Sequence, residues 1–344
     1  MINLNDLTFE ELQQEILNVG EPKFRGKQLF QWFARGVTNL DEMTDISAKT
    51  KEKLRANYSI ANVNILERFD SKLDETKKYL MELDDGNIIE TVAMFYKHGI
   101  TVCISTQVGC NMGCKFCAST LGGKVRNLTA GEILGQVATV QRDLDERISN
   151  IVLMGIGEPL DNYENVVRFL KNVNNELGMC VGYRHISLST CGLVDKINML
   201  ADENIPITLS VSLHAPDDET RDKIMPVNKK FKVADLLTAC REYQGVTGRR
   251  ISFEYILIDQ LNDTKEHAQR LVKVTKGMLS HINLIPANFV KESAFSKSSP
   301  KRVDDFKREL EKAGVVATVR RELGSDISAS CGQLRRKHST RGDE

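Results

Sequence analysis

Apolar positions recur along this chain with two different periods, and the change of period divides it. Up to about Glu67 the spacing is helical: Leu12, Ile16 and Leu17 make one apolar face behind a Thr8–Glu11 capping box. A second helix runs from about Phe24 to Phe33. Beyond Asp70, two strand-like runs, 78–83 and 87–96, meet at Asp84-Asp85-Gly86, which reads as a hairpin. From Thr101 the pattern becomes strand, loop, helix, repeated. Strands are predicted at 102–105, 151–154, 185–189, 207–212, 251–258 and 281–285, with a short one at 315–319. The first intervening helix starts at a Thr129–Glu132 capping box and places Ile133, Val137, Val140 and Leu144 on one side. Six such units predict an α/β fold, a parallel sheet curling into a partial (βα)6 barrel behind a small helical N-terminal domain. The expected divisions are a helical unit at 1–75, a core at 76–325 and a C-terminal segment at 326–344.

At 344 residues and 41% hydrophobic, the chain can bury a large core with a smaller appendage. No apolar run is long enough to span a bilayer, and the start, Met1-Ile2-Asn3-Leu4-Asn5-Asp6, lacks a secretion signal, so a cytoplasmic protein is expected. Lys plus Arg and Asp plus Glu are 47 each, which removes any global attraction to nucleic acid. Local basic clusters remain: Lys23, Arg25 and Lys27; Lys124 and Arg126; Lys229, Lys230 and Lys232; Arg249 and Arg250; Arg320 and Arg321; and Arg335, Arg336 and Lys337. Each reads either as a solvated face or as a phosphate contact. Eight cysteines in such a chain point to metal or redox chemistry rather than to disulfides.

Three of them, Cys110, Cys114 and Cys117, form a C-x3-C-x2-C cluster in a glycine-punctuated loop directly after the first barrel strand. A closed zinc site wants four protein ligands, whereas an iron-sulfur cube held by three thiolates keeps one iron free. In parallel sheets the reactive site lies at the carboxyl ends of the strands, which is where this loop falls. Further polar elements follow the later strands: Gly155-Ile156-Gly157-Glu158-Pro159, Ser189, Ser212-Leu213-His214, and Asn288. The set resembles the radical S-adenosylmethionine superfamily. That resemblance implies a [4Fe-4S] cluster on the three cysteines, whose free iron binds the methionine moiety of S-adenosylmethionine. Gly157, Glu158, Ser189, Ser212, Leu213, His214 and Asn288 would surround that cofactor.

Ser212-Leu213-His214-Ala215-Pro216, the stretch Arg221-Asp222-Lys223-Ile224-Met225-Pro226-Val227-Asn228 and the tail from Arg320 to Leu334 narrow the match. They are similar to the bacterial dual-specificity RNA adenine carbon-2 methyltransferases, over essentially the whole chain. The departures are Ile156 where Met is frequent and Phe289 where Pro is common; both touch only details of the cofactor pocket. The resemblance implies methylation of adenine-2503 in 23S rRNA and adenine-37 in tRNA, with two S-adenosylmethionine molecules consumed per methyl group. It implies that Cys331 carries the methyl group, that Cys103 attacks the Cys331 sulfur to form a transient disulfide, and that Glu90 accepts the carbon-2 proton. An electron donor such as flavodoxin with its reductase is implied too. Read from residues alone, Cys103 is a core cysteine rather than a catalyst, and Glu90 stands among Ile88, Ile89 and Val92, where burial favours a stronger base. Cys331 lies in a tail of small residues suited to a mobile loop. Cys180, Cys191 and Cys240 are assigned to packing, and the basic head, Lys124 with Arg126, and the C-terminal arginines to phosphate contacts. The competing readings are a carbon-8 adenine methylase conferring antibiotic resistance, a radical enzyme acting on a protein or small molecule, and a zinc-stabilised RNA-binding module.

Overall fold

The computed structural model describes residues 1–288 and 295–334, together with the backbone of 337–338. Arg335 and Arg336 of the last basic cluster, Phe289, and the Lys337 side chain lie outside the described residues. The head holds three helices, α1 (Phe9–Asn18), α2 (Phe24–Ala34) and α3 (Ala48–Asn57). The first capping box forms as the sequence suggests: Thr8 Oγ1 accepts from Glu11 N at 3.3 Å, and Thr8 N donates to Glu11 Oε2 at 2.9 Å. Leu12 and Ile16, one turn apart, are fully buried with Leu4, Leu29, Phe33 and Leu54 in a core of their own. Leu17, expected on that face, is 45% exposed, because one residue of helix turns it about 100° away from Ile16.

The helical stretch also ends sooner than expected. Residues 63–70 form a strand, β1 (Val63–Asp70), which pairs antiparallel with β2 (Lys77–Leu83) in the main sheet rather than extending the head. β2 turns at Gly86 into the long β3 (Asn87–Tyr96), and β3 pairs antiparallel with β4 (Gly99–Cys103). From β4 onward the neighbours are parallel: β5 (Ile148–Leu153), β6 (Ile186–Thr190), β7 (Thr208–Ser212), β8 (Ile251–Leu257), β9 (Ser280–Pro286) and the short β10 (Ala317–Val319). The sheet is therefore an arc, open between β1 and β10, with a hairpin extension at one edge. Backbone residues 337–338 add an antiparallel step to β3.

Crossover helices α4 (Ala130–Leu144), α5 (Tyr163–Asn174), α6 (Val194–Asp202), α8 (Val233–Thr247), α9 (Lys265–Thr275) and α10 (Pro300–Lys312) follow successive strands, with the short α7 (Asp218–Ile224) ahead of α8. They cover one face of the arc. Residues of that face, including Leu153, Leu188, Leu209, Phe253 and Leu284, lie in the main apolar core. Because side chains alternate across a strand, the opposite face carries Ser187 and Ser189, Ser210 and Ser212, Ser252 and Glu254, and Asn283. A polar concave face lined by apolar walls is a place for a polar ligand. Among the described residues no helix is long and apolar enough to cross a membrane.

Candidate active site

The loop after β4 carries the three cysteines, and its path is set by close backbone contact. Gly109 has φ +77°, and a Cβ there would sit 1.9 Å from Gly123 O, so only glycine lets the two turns approach. The short pairing of Gln107–Val108 with Arg126–Asn127 closes the base of the loop. Lys115 N donates to Ile224 O at 3.0 Å and Cys117 N to Cys114 O at 3.1 Å. Thr120 Oγ1 donates to Cys117 O at 2.9 Å.

Cys110, Cys114 and Cys117 line one cavity inside the arc, together with Gly157, Glu158, Ser189, Ser212, His214, Asn288 and Cys331. All but one of the residues expected around the cofactor thus meet. Leu213 is the exception: its side chain is fully buried in the main apolar core, and only its backbone reaches the strand ends, where Leu213 O accepts from Arg221 Nε at 3.0 Å.

Glu158 is buried, and burial pushes its carboxyl up, opposed by the N–H groups of Cys191 and Leu160, which donate to its two oxygens at 2.7 and 3.1 Å. Gly157, at φ +113°, would place a Cβ 2.7 Å from Gln107, so glycine here serves the approach of two strand-end loops. Among the described residues the hydroxyls of Ser189 and Ser212 make no hydrogen bond, and both face the cavity. His214 adopts φ +58°, a conformation rare outside glycine, and its Nδ1 accepts from Ile256 N at 3.0 Å. The proton therefore sits on Nε2. Burial, with the nearby Arg221 charge, depresses the imidazole to about 3.

The residues that hold this arrangement were given no structural role in the sequence reading. Arg221 is fully buried and donates to Cys191 O at 2.6 Å, Leu213 O at 3.0 Å, Ser212 O at 3.1 Å and Asn228 Oδ1 at 3.1 Å, tying the ends of β6 and β7 together. Asn262 donates to His214 O at 2.8 Å and Ile256 O at 2.6 Å, and accepts from Ile258 N at 2.8 Å, fixing the unusual His214 backbone. Gln136 joins Thr91 Oγ1 to both backbone groups of Ser105, at 2.8 to 2.9 Å. The signal for Gln136 was a polar residue inside the apolar stripe of α4.

A second cavity adjoins the first and is lined by Val92, Met94, Tyr96, Cys103, Arg320 and Cys331, among others. Cys331 belongs to both. Cys103 pairs with Val92 across β3 and β4, and burial, then the Cys331 sulfur, push its thiol up to about 12. Glu90 lies on β3 two residues before Val92, so its side chain shares that face. It is buried, and its surroundings are not only apolar: Lys78 Nζ stands 3.7 Å from Glu90 Oε1, over the ring of Phe69. The segment around Cys331 is bonded through its backbone, with Ala118 N donating to Gly332 O, Ser119 Oγ to Leu334 O and Asn288 Nδ2 to Cys331 O, each at 2.8 Å.

Several other expectations change. Cys240 is buried in the core, but Cys180 is exposed, and Cys191 lines the cavity. Lys124 and Arg126 are engaged within the protein: Lys124 pairs with Asp161 at 2.6 Å, and Arg126 with Asp85 at 2.6 Å and Glu132 at 2.7 Å. Those pairs compete with any phosphate contact.

The fit of a metal group can be read from the thiols. Burial raises Cys110 to about 12, and raises Cys114 and Cys117 as well, so a bound cation is needed to draw out thiolates. Among the described residues no three His, Cys, Asp or Glu side chains converge as ligands of a single ion. Three thiols lining one cavity suit an iron–sulfur group.

Comparison with known proteins agrees. Residues 104–272 match the family model described as the radical SAM superfamily, and residues 2–60 the model of the ribosomal RNA large subunit methyltransferase N-terminal domain. A "probable dual-specificity RNA methyltransferase RlmN" of Clostridium novyi is 52% identical, covering 98% of this chain and 99% of its own. One of the same name from Caldanaerobacter subterraneus subsp. tengcongensis is 54% identical, covering 99% of this chain and all of its own length. The crystal structure of a radical SAM methyltransferase from Sphaerobacter thermophilus superposes with a TM-score of 0.93 at 41% identity, over 97% of this chain and 99% of that one. With identity above half along nearly its full length, the chain belongs to the RlmN family of dual-specificity RNA methyltransferases, within the radical SAM superfamily.

Proposed function

We propose that this enzyme methylates carbon 2 of adenine-2503 in 23S rRNA and of adenine-37 in tRNA, by way of a methyl group first carried on Cys331. The observation that carries this reading is the position of Cys331, shared between the cavity of the three cysteines and the cavity of Cys103. Carbon 2 of adenine is too poor a nucleophile for direct displacement at a sulfonium methyl, so a methyl relay through sulfur answers the chemical problem. Cys110, Cys114 and Cys117 would hold a [4Fe-4S] cluster, with Glu158, Ser189, Ser212, His214 and Asn288 around S-adenosylmethionine. When bound, the pair supplies a 5'-deoxyadenosyl radical, made with an electron from a donor such as flavodoxin.

The chain's own residues do the rest. Cys331 takes a methyl group from a first S-adenosylmethionine, gives up one hydrogen from it and joins its carbon to carbon 2 of the base. With one electron of this adduct passed to a one-electron acceptor of the iron–sulfur class, Glu90 would accept the carbon-2 proton. The Cys103 sulfur then attacks the Cys331 sulfur as its own proton leaves, and the sulfur–carbon bond breaks with its electron pair on the carbon, which takes up that proton. A methylated base and a Cys103–Cys331 disulfide remain, the latter for external thiols to reduce. Buried Cys103 holds its proton tightly, which keeps it inert until the adduct stands beside it. The substrates of this reading place the reaction in the cytoplasm.

The test is anaerobic reconstitution with iron and sulfide, followed by labelled S-adenosylmethionine and an rRNA fragment. Deoxyadenosine and 2-methyladenine are expected together from the wild type, and neither 2-methyladenine nor a methylated tail peptide from Cys331→Ala. A Cys331→Ala enzyme that methylated RNA at the wild-type rate would overturn the relay, and 8-methyladenine in digested RNA would overturn the position.

A further inference from the structure

The carboxyl ends of the parallel strands carry the cysteine loop and the Gly155–Glu158 loop, while the β3–β4 turn and Arg184 precede the amino ends of β4 and β6. The Cys331 cavity shares Met94, Tyr96 and Arg320 with one shallow hollow at the β3–β4 turn, and Tyr96 and Arg321 with a second. One hollow is edged by Arg184, His185 and Arg320, the other by Lys97 and Arg321, with a single carboxylate, Glu75. Between them the rings of Tyr96 and His98 stack, with centroids 5.1 Å apart and planes at 14°. Lys97, His98, Arg184, His185 and Arg321 are exposed. Among the described residues Lys97, Arg184 and Arg321 make no ion pair or hydrogen bond, in contrast to Lys124 and Arg126.

We propose that the substrate RNA docks here, on single-stranded nucleotides, and feeds its target base into the arc from the amino ends of the strands. The inference rests on the RNA-methylating function proposed above and adds the surface. Unpartnered cations around a stacked aromatic pair suit unpaired RNA, whose phosphates need charge and whose splayed bases need a flat face. Duplex would gain the charge but leave the aromatic face idle. The walls shared with the Cys331 cavity supply the direction: a base stacked at His98 has its neighbour placed to pass Tyr96 and Arg320 inward. Arg320, only 24% exposed, sits 3.9 Å from Glu254 and 3.6 Å from the Met154 sulfur, at the inner end of that path.

The test measures binding of a fluorescein-labelled RNA hairpin with an adenine-containing loop to the full-length enzyme, across a range of salt. Lys97→Gln, Arg184→Gln and Arg321→Gln are combined, and a control removes three cations from the outer helix α10, at Lys301, Arg308 and Lys312. The groove variant is expected to bind roughly tenfold more weakly, with a log–log salt slope shallower by about 2, since each lost contact to single-stranded phosphate removes about 0.7. His98→Ala is expected to lose roughly fivefold or more without altering the slope, as for one lost stacking contact. Cleavage of S-adenosylmethionine without RNA is expected to stay at the wild-type rate in both, which verifies that the barrel is folded. Groove-variant binding within twofold of wild type, or a loss equal to that of the α10 control, would overturn the proposal while wild-type methylation still upheld the function. A wild type that binds no RNA would overturn both.

Discussion

Two cysteine-bearing segments meet in this site and are built in opposite ways. The loop of Cys110, Cys114 and Cys117 grows directly from a barrel strand, is closed by its own small strand pair and is packed so tightly at Gly109 that no other residue fits. The segment of Cys331 arrives from the far end of the chain. It rests on that loop through a few hydrogen bonds to its carbonyls, and Gly332, at φ +80°, has only Phe116 O near its missing Cβ, at 3.5 Å. Ligands that must keep a fixed spacing stand on a rigid element, while the cysteine that must serve two partners is hung at separable points.

Exchanging the roles of the two segments gives the largest expected effect. Cys114→Ala should lose bound iron and all deoxyadenosine formation, whereas Cys331→Ala should keep the iron and lose RNA methylation together with the deoxyadenosine coupled to it; iron assay and product chromatography decide. Glycine substitution should separate the segments next. Gly109→Ala is expected to lower stability by about 3 kcal/mol through overpacking, and Gly332→Ala by about 1 kcal/mol through backbone conformation alone, both read from urea unfolding. The third effect is acid sensitivity. The native His214 value of about 3 lies below the unfolded value near 6.5, so the unfolded state binds the proton first and stability falls as pH drops below about 6.5. His214→Asn, which tolerates the left-handed backbone, should remove about 1.4 kcal/mol per pH unit of that slope between pH 6 and 4. The smallest effect concerns the tail's anchorage: Asn288→Ala removes one bond to Cys331 O, worth about 1 kcal/mol, and iodoacetamide should then alkylate Cys331 roughly fivefold faster.

Much of this was legible because the signals are local. The capping boxes at Thr8 and Thr129 form as spelled, and the strand–helix alternation from Thr101 maps onto the parallel arc with ends shifted by a few residues. The polar residues after each strand converge because a parallel sheet brings all its carboxyl ends to one side. What was missed depends on partners distant in sequence. Val63–Asp70 carries mixed polar and apolar residues and becomes a strand only because β2 lies beside it. Leu17 shares the hydrophobicity of Ile16 but not its direction. Lys78 beside Glu90 is a cross-sheet meeting, and Lys124 finds Asp161 across 37 residues. Arg221 entered the sequence reading only as part of a motif and Asn262 not at all, since nothing in a sequence announces that a guanidinium or an amide will be enclosed by carbonyls.

That enclosure has a consequence of its own. Arg221 is sealed from solvent, and its hydrogen bonds go to three main-chain oxygens and one amide oxygen, with no carboxylate among them. Its charge is held in place, and the Cys191 and Cys114 sulfurs and the Asp218 and Asp222 carboxylates lie within its field. Whatever anionic assembly the Cys114 sulfur helps to build finds a permanent counterion already installed behind the wall, out of reach of salt and of the traffic of substrates through the front.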